Sequence, residues 1–197
     1  FLSKKKDDII VLTAYPSYPN KKHFKKFKYK KKQKNLKIYR VPAFKRSESK
    51  ISILLNYIFF IFLSFFYLLF FFLSKKLDVM LIFGTSPPST LIAGVLFKFF
   101  KKIKIIYWIL DLWPDTLKDL GYIKSNLVFN IFNKFLIFFY NKCELILCQS
   151  KKITNIIRNR CGAKVKYFPS WSETEYSRNK VNNKKKMKNF NIFFQVI

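Results

Sequence analysis

The chain alternates short, unbroken apolar runs with polar or turn-rich stretches, and the lengths of the runs sort them into strands and helices. IIVLT (9–13) is a brief apolar run that ends in the turn-rich AYPSYPN, and LKIYRV (36–41) alternates as a half-buried strand does. From residue 78 the rhythm becomes regular. DVMLIF (78–83), KIIYWIL (104–110), CELILC (143–148) and VKYF (165–168) read as strands. Between them, LIAGVLFKFF (91–100) has the length of a helix. NLVFNIFNKFLIFFYN (126–141) carries Asn126, Asn130, Asn133, Lys134 and Asn141 at near-helical spacing, which predicts an amphipathic helix. KKITNIIRNR (151–160) puts Ile153, Ile156 and Ile157 on one face, with Gly162 placed as the glycine just past a helix end.

Strand then helix, repeated, with continuous apolar strands and short connections, predicts parallel βαβ units. Crossovers of that kind are right-handed, so the expected class is α/β: a Rossmann-like, doubly wound parallel sheet with helices on both faces. No internal repeat is visible.

Residues 51–73, ISILLNYIFFIFLSFFYLLFFFL, form the most apolar segment, long enough to span a bilayer. At 100° per residue, Ser52, Asn56, Tyr57, Ser64 and Tyr67 fall on one side, interrupted by Phe60 and Leu63, while the opposite side is wholly apolar. Lys50, Lys75 and Lys76 flank it. A transmembrane span, a core helix and a helix lying in the lipid interface all fit this pattern. A full span between two strands of one sheet would part them across the bilayer, which favours a buried or interfacial helix.

In open α/β sheets, ligands bind beyond the carboxyl ends of the strands. Four loops meet that description: AYPSYP (14–19), GTSPPST (84–90), DLWPD (111–115) and PSW (169–171), with Gln149 and Ser150 at a fifth strand end. Each has a structural reading. Ser86-Pro87-Pro88-Ser89 can simply end a strand and start a helix. Ser150 fits an N-cap of the next helix, Asp111 a loop carboxylate bonding local N–H groups, Asp115 a cap for TLKDL, and Trp113 plain packing. For Asp111 the functional reading is favoured, because a carboxylate in such a cleft can take a proton or bind a sugar hydroxyl. His23, the only histidine, lies in a Lys-rich loop and reads as solvated. Neither a GxGxxG nor a GxxxxGK[ST] fingerprint is present, nor a catalytic triad or a metal-ligand cluster.

Charge changes the picture. Across 197 residues, 39 Lys+Arg stand against 10 Asp+Glu, a formal charge of +29. Heavy use of Lys, Asn, Ile, Phe and Tyr with little Gly or Ala also fits an AT-rich coding sequence. The basic residues come in solvated runs such as Lys4-Lys5-Lys6, residues 21–37 and Lys184-Lys185-Lys186, with no aromatic interleaving of the RNA-binding kind, so nucleic acid is not expected as a partner. An anionic membrane surface is expected instead, at about 1 kcal/mol per basic residue near it. Cys143, Cys148 and Cys161 are odd in number and lack CxxC spacing, so reduced thiols in a cytosolic compartment are expected.

The motif order resembles the N-terminal domain of family 4 glycosyltransferases of the GT-B fold, and more narrowly the branch that builds bacterial surface polysaccharides, of the colanic-acid and O-antigen type. VLTAYPSYPN (11–20), IYRVP (38–42), LDVMLIFGTSPPST (77–90), DLWPDTLKDLG (111–121), CELILCQSKKI (143–153) and VKYFPSW (165–171) carry it, over nearly the whole chain. DLWP with an upstream SPP is the most specific part. The resemblance implies the N-terminal half of a GT-B glycosyltransferase, transferring sugar from a nucleotide-sugar donor, as co-substrate, to a lipid-linked or glycan acceptor. It implies neither cofactor nor metal. Asp111 would face the transferred sugar as the catalytic residue, with Ser86, Pro87, Trp113, Ser150 and Ser170 binding substrate. Ser170 stands where the family usually has Asn.

Residues 1–188 would then be the acceptor-side domain without its first strand, glycine-rich loop and helix. Residues 189–197 would open a donor-binding domain, and the stretch alone would be inactive. The expected location is peripheral, on the cytoplasmic face of the plasma membrane, with a single span at 51–73 as the alternative. A single-pass protein bearing a non-catalytic α/β binding module, and an inactive remnant of a transferase gene, are the other readings.

Overall fold

The computed structural model describes residues 9–15, 36–42 and 50–170. His23, most of the 14–19 loop, the Lys-rich runs before residue 36 and after residue 171, Trp171 and the expected strand at 189–197 lie outside the described residues. The order of elements is β1 (Ile9–Ala14), β2 (Leu36–Val41), α1 (Lys50–Phe72), β3 (Val79–Gly84), α2 (Ser89–Lys98), β4 (Lys104–Ile109), α3 (Asp115–Asp119), α4 (Asn126–Tyr140), β5 (Leu145–Cys148), α5 (Lys151–Arg160) and β6 (Val165–Tyr167). The protein is α/β with parallel strands, a Rossmann-like arrangement.

The strands form two sheets where one was expected. β1 pairs with β2, and β3, β4, β5 and β6 lie side by side in chain order. Because each crossover in the second sheet steps the same way and is right-handed, its helices gather on one face. That face carries Ile82, Ile105, Tyr107, Ile109 and Ile146, buried against Leu91 and Val95 of α2, Leu136 and Phe139 of α4 and Ile157 of α5. Side chains alternate across a strand, so Val79, Leu81 and Phe83 point the other way, where each is exposed.

Two glycines permit close packing. A Cβ on Gly84 would sit 2.5 Å from the Tyr107 hydroxyl and 2.8 Å from the Trp108 carbonyl oxygen. One on Gly94 would meet Ile82 Cδ1 at 2.4 Å, so the absent side chain lets α2 lie down on β3. The left-handed glycine is Gly121 (φ 74°) at the end of α3. Gly162 is not a helix cap of that kind: α5 stops with Cys161 in extended backbone, and the Gly162 N–H donates to Asn141 Oδ1 at 2.8 Å.

α1 rests on both sheets. Leu68 and Phe72 are buried with Phe97 of α2, packed by Ile10 and Leu12 of β1, Tyr39 of β2 and Met80 of β3. β2 and β3, which flank α1 in sequence, lie in different sheets, and the inner face of α1 is occupied by protein. Its C-terminal carbonyls are gathered by Lys101, whose Nζ donates to Phe72 O at 3.1 Å, Leu73 O at 2.9 Å and Lys75 O. α1 buries one polar side chain and leaves much of its apolar side uncovered. Ser64, on its more polar side, is buried beside Leu68 and Phe72, whereas Leu55, Phe59, Phe62 and Phe66, on the wholly apolar side, are exposed, as is Phe70.

Candidate functional site

The carboxyl ends of β3, β4, β5 and β6 deliver four loops to one edge of the second sheet, and hydrogen bonds run from each loop to the next. Leu110 N–H donates to Gly84 O at 3.2 Å, which continues the β3–β4 ladder past the last strand residue. Beyond it, Ser86 Oγ donates to Asp111 Oδ2 at 2.5 Å, and Trp113 Nε1 donates to Ser86 Oγ at 2.9 Å. Gln149 Nε2, just after β5, donates to Leu110 O at 2.5 Å, and Ser170 Oγ, after β6, donates to Gln149 Oε1 at 3.2 Å. The chain of contacts is therefore Trp113–Ser86–Asp111, then through the β4 backbone to Gln149 and Ser170.

Local sequence explains why each group stands where it does. Gly84 ends β3 against Tyr107, with no side chain to push the following loop away. Ser86–Pro87 and Trp113–Pro114 are both cis peptide bonds. Pro87 lies in the loop itself, and α2 begins two residues later at Ser89, with Thr90 Oγ1 donating to Phe83 O at 3.1 Å. Trp113 also meets Phe132 of α4 edge-on, at 6.3 Å between ring centroids. Its indole N–H is used by Ser86, so Trp113 braces the serine and leaves a partly exposed ring beside the carboxylate.

Asp111 is exposed, and among the described residues Oδ1 takes no hydrogen bond, while Oδ2 is held by Ser86. A carboxylate with one oxygen oriented and the other open can accept a hydrogen bond from a sugar hydroxyl, or take a proton from an attacking hydroxyl.

Ser150 takes the structural role open to it, and Asp115 takes a different one. Ser150 is the N-cap of α5, its Oγ accepting the Ile153 N–H at 3.1 Å. Asp115 does not cap α3: it lies in the first turn and holds Arg160 of α5 with two hydrogen bonds, at 2.5 and 2.8 Å. This pair ties the DLWPD loop to the helix beneath β6. Gln149 is the link that sequence reading passed over as a site residue. Its only signal was its place directly after a buried strand.

Burial raises the titration of the hydroxyl and thiol groups below the site. Burial pushes the Tyr107 hydroxyl well above its ordinary value, with Tyr140 and Asp111 among the nearby groups adding to it. Burial likewise raises the Cys143 thiol to about 12 and the Cys148 thiol to about 11. Set against models of known protein families and against curated proteins, the chain matches none.

Proposed function

We propose that this chain is the acceptor-side, Rossmann-like part of a GT-B glycosyltransferase of the family 4 type. It transfers sugar from a nucleotide-sugar to a lipid-linked or glycan acceptor at the cytoplasmic face of the membrane. The observation that supports this best is the Trp113–Ser86–Asp111 cluster. The two motifs behind the resemblance, SPP and DLWP, lie 25 residues apart in sequence at Ser86 and Asp111, yet their side chains bond directly. In this reading Asp111 binds or deprotonates a hydroxyl, Ser86 fixes its orientation, and the Trp113 ring flanks the sugar. The membrane part of the reading draws on the charge of +29 and on the exposed apolar side of α1.

The test is a screen of nucleotide-sugars on the intact protein, read as release of nucleoside diphosphate, with Asp111→Asn as the control. Release with one donor, lost in the variant, supports the reading. No release with any donor in the presence of a membrane lipid extract removes it.

A second reading draws on α1 itself. Residues Leu55–Phe72 are long and apolar enough to cross a membrane by length and composition, and only 22% of that window is buried. In that reading the chain is a single-pass protein with an α/β binding module. Alkaline washing of membranes separates the two, since a peripheral enzyme is released and a spanning protein is retained.

A further inference from the structure

We infer that α4 and the end of α2 join α1 in one apolar face that seats on an anionic lipid bilayer. The inference rests on the membrane part of the reading above and not on sugar transfer. Sequence periodicity assigns α4 a buried apolar stripe, and Leu136, Phe139 and Tyr140 do occupy the core. Its apolar surface is wider than that stripe. Leu127 is 70% exposed and Ile131 61%, and Phe135 and Phe138 are close to half exposed. Phe99 and Phe100, which follow α2, are both 61% exposed.

Ring contacts at the end of α2 link the outer sides of α1 and α4. Phe65 of α1 lies 5.7 Å from Phe100 and 5.5 Å from Phe66, which continues to Phe62 and Phe70. Lys142 bridges the other half, its Nζ 5.9 Å from the Phe99 ring and 5.2 Å from the Phe138 ring. A lysine lying across phenyl rings at the margin of an apolar face has its stem in the apolar layer and its ammonium free to reach a phosphate.

Charge selects the occupant. Neither α1 nor α4 contains an acidic residue. Lys142 stands at the edge of the face, Lys134 is exposed among its apolar side chains, one turn from Ile131 and Phe138, and Glu144, the nearby carboxylate, is taken by Lys98 at 2.5 Å. A second copy of a chain carrying +29 would bring like-charged margins together, whereas lipid phosphates oppose them. A patch that is Phe-rich, free of acidic side chains on its two helices and set with lysines fits an interfacial lipid layer.

The purified chain is sedimented with vesicles of phosphatidylcholine containing phosphatidylglycerol, and with vesicles of phosphatidylcholine alone. Wild type is compared with Leu127→Gln/Ile131→Gln/Phe138→Gln on α4 and with Phe62→Gln/Phe66→Gln/Phe70→Gln on α1. All six side chains are exposed, and circular dichroism checks that the fold persists. Wild type pellets with the anionic vesicles, less so as salt is added, and each triple variant loses about tenfold or more in partitioning.

Should the α4 variant unfold, Phe99→Gln/Phe100→Gln carries the same expectation. Wild-type partitioning by a folded α4 variant overturns the shared face. So does equal binding to neutral vesicles, a stable dimer that the α4 variant dissolves, or retention of the protein in alkali-washed membranes. Vesicle binding is read without any donor sugar, so it stands or falls separately from nucleoside diphosphate release.

Discussion

Ser86 and Asp111 share a 2.5 Å hydrogen bond, and the serine hydroxyl that donates it also accepts the indole N–H of Trp113 at 2.9 Å. The serine is thereby oriented from one side so that it orients the aspartate on the other. Asp111→Asn is expected to lower turnover by about a hundredfold or more, the scale of a lost general base. Ser86→Ala leaves the carboxylate in place without its fixed orientation, and a drop of about tenfold is expected. Steady-state nucleoside diphosphate release measures both. Asp111 is solvent-exposed, so thermal unfolding of its variant should match wild type.

Gly94→Ala is expected to destabilise the fold by about 1–3 kcal/mol, the range for overpacking a core. The new methyl would lie 2.4 Å from Ile82 Cδ1 and 3.2 Å from Met80 Sδ. Ile82→Val removes the colliding carbon, so the double variant should recover most of the loss. Urea unfolding midpoints of the two single variants and the double variant measure the coupling.

The Arg160–Asp115 pair is about four-fifths buried on both sides and bidentate. A lysine presents a point charge in place of the guanidinium fork, so Arg160→Lys should not restore the pair. The expected result is faster amide exchange across α3, none of whose five residues is fully buried. Hydrogen exchange of residues 115–119 should rise more than that of α4 or β4.

Glu144 gives the protein an acid-sensitive seam. Burial pushes its carboxyl up, but the hydrogen bond from Lys98 and the backbone donors, Ile105 N–H among them, hold it below the usual glutamate range. Its folded value is lower than its unfolded one, so its stabilising contribution is complete above the unfolded value. That contribution disappears as pH falls through the folded one. Glu144→Gln should therefore flatten the acid limb of the stability profile and lower the plateau at neutral pH. Urea midpoints across that range report both effects.

The thiols should separate by burial. Cys143 and Cys148 are buried with raised thiol values, while Cys161 is partly exposed and raised as well. At neutral pH a thiol reagent is expected to modify Cys161 first. The other two should react only as the chain unfolds, which peptide mass mapping over time would show.

The strands from β3 onward were legible because a parallel sheet covered by helices wants continuous apolar runs, and DVMLIF and KIIYWIL are such runs. The division into two sheets was not, because which strand edges meet depends on contacts far apart in sequence. TLKDL was legible as a segment for Asp115 to cap, but a helix of five residues holds too little periodicity to show that it begins at Asp115 itself. The convergence of Ser86, Asp111 and Trp113 was readable from a general rule about strand ends. Gln149 was not, since its partner is the Leu110 carbonyl, a group every residue offers. For α1 the apolar content was plain, but which side turned inward depended on Phe97, Tyr39 and Met80.

Lys101 closes its ammonium on the last carbonyls of α1, so that helix cannot swivel apart from the body. If α1 rests on lipid, its tilt becomes the tilt of the whole domain. Asp111 would then stand at one set height above the headgroups. An enzyme mounted so would measure its acceptors by reach, favouring glycans whose growing tip stands at that height over shorter or longer ones of the same chemistry.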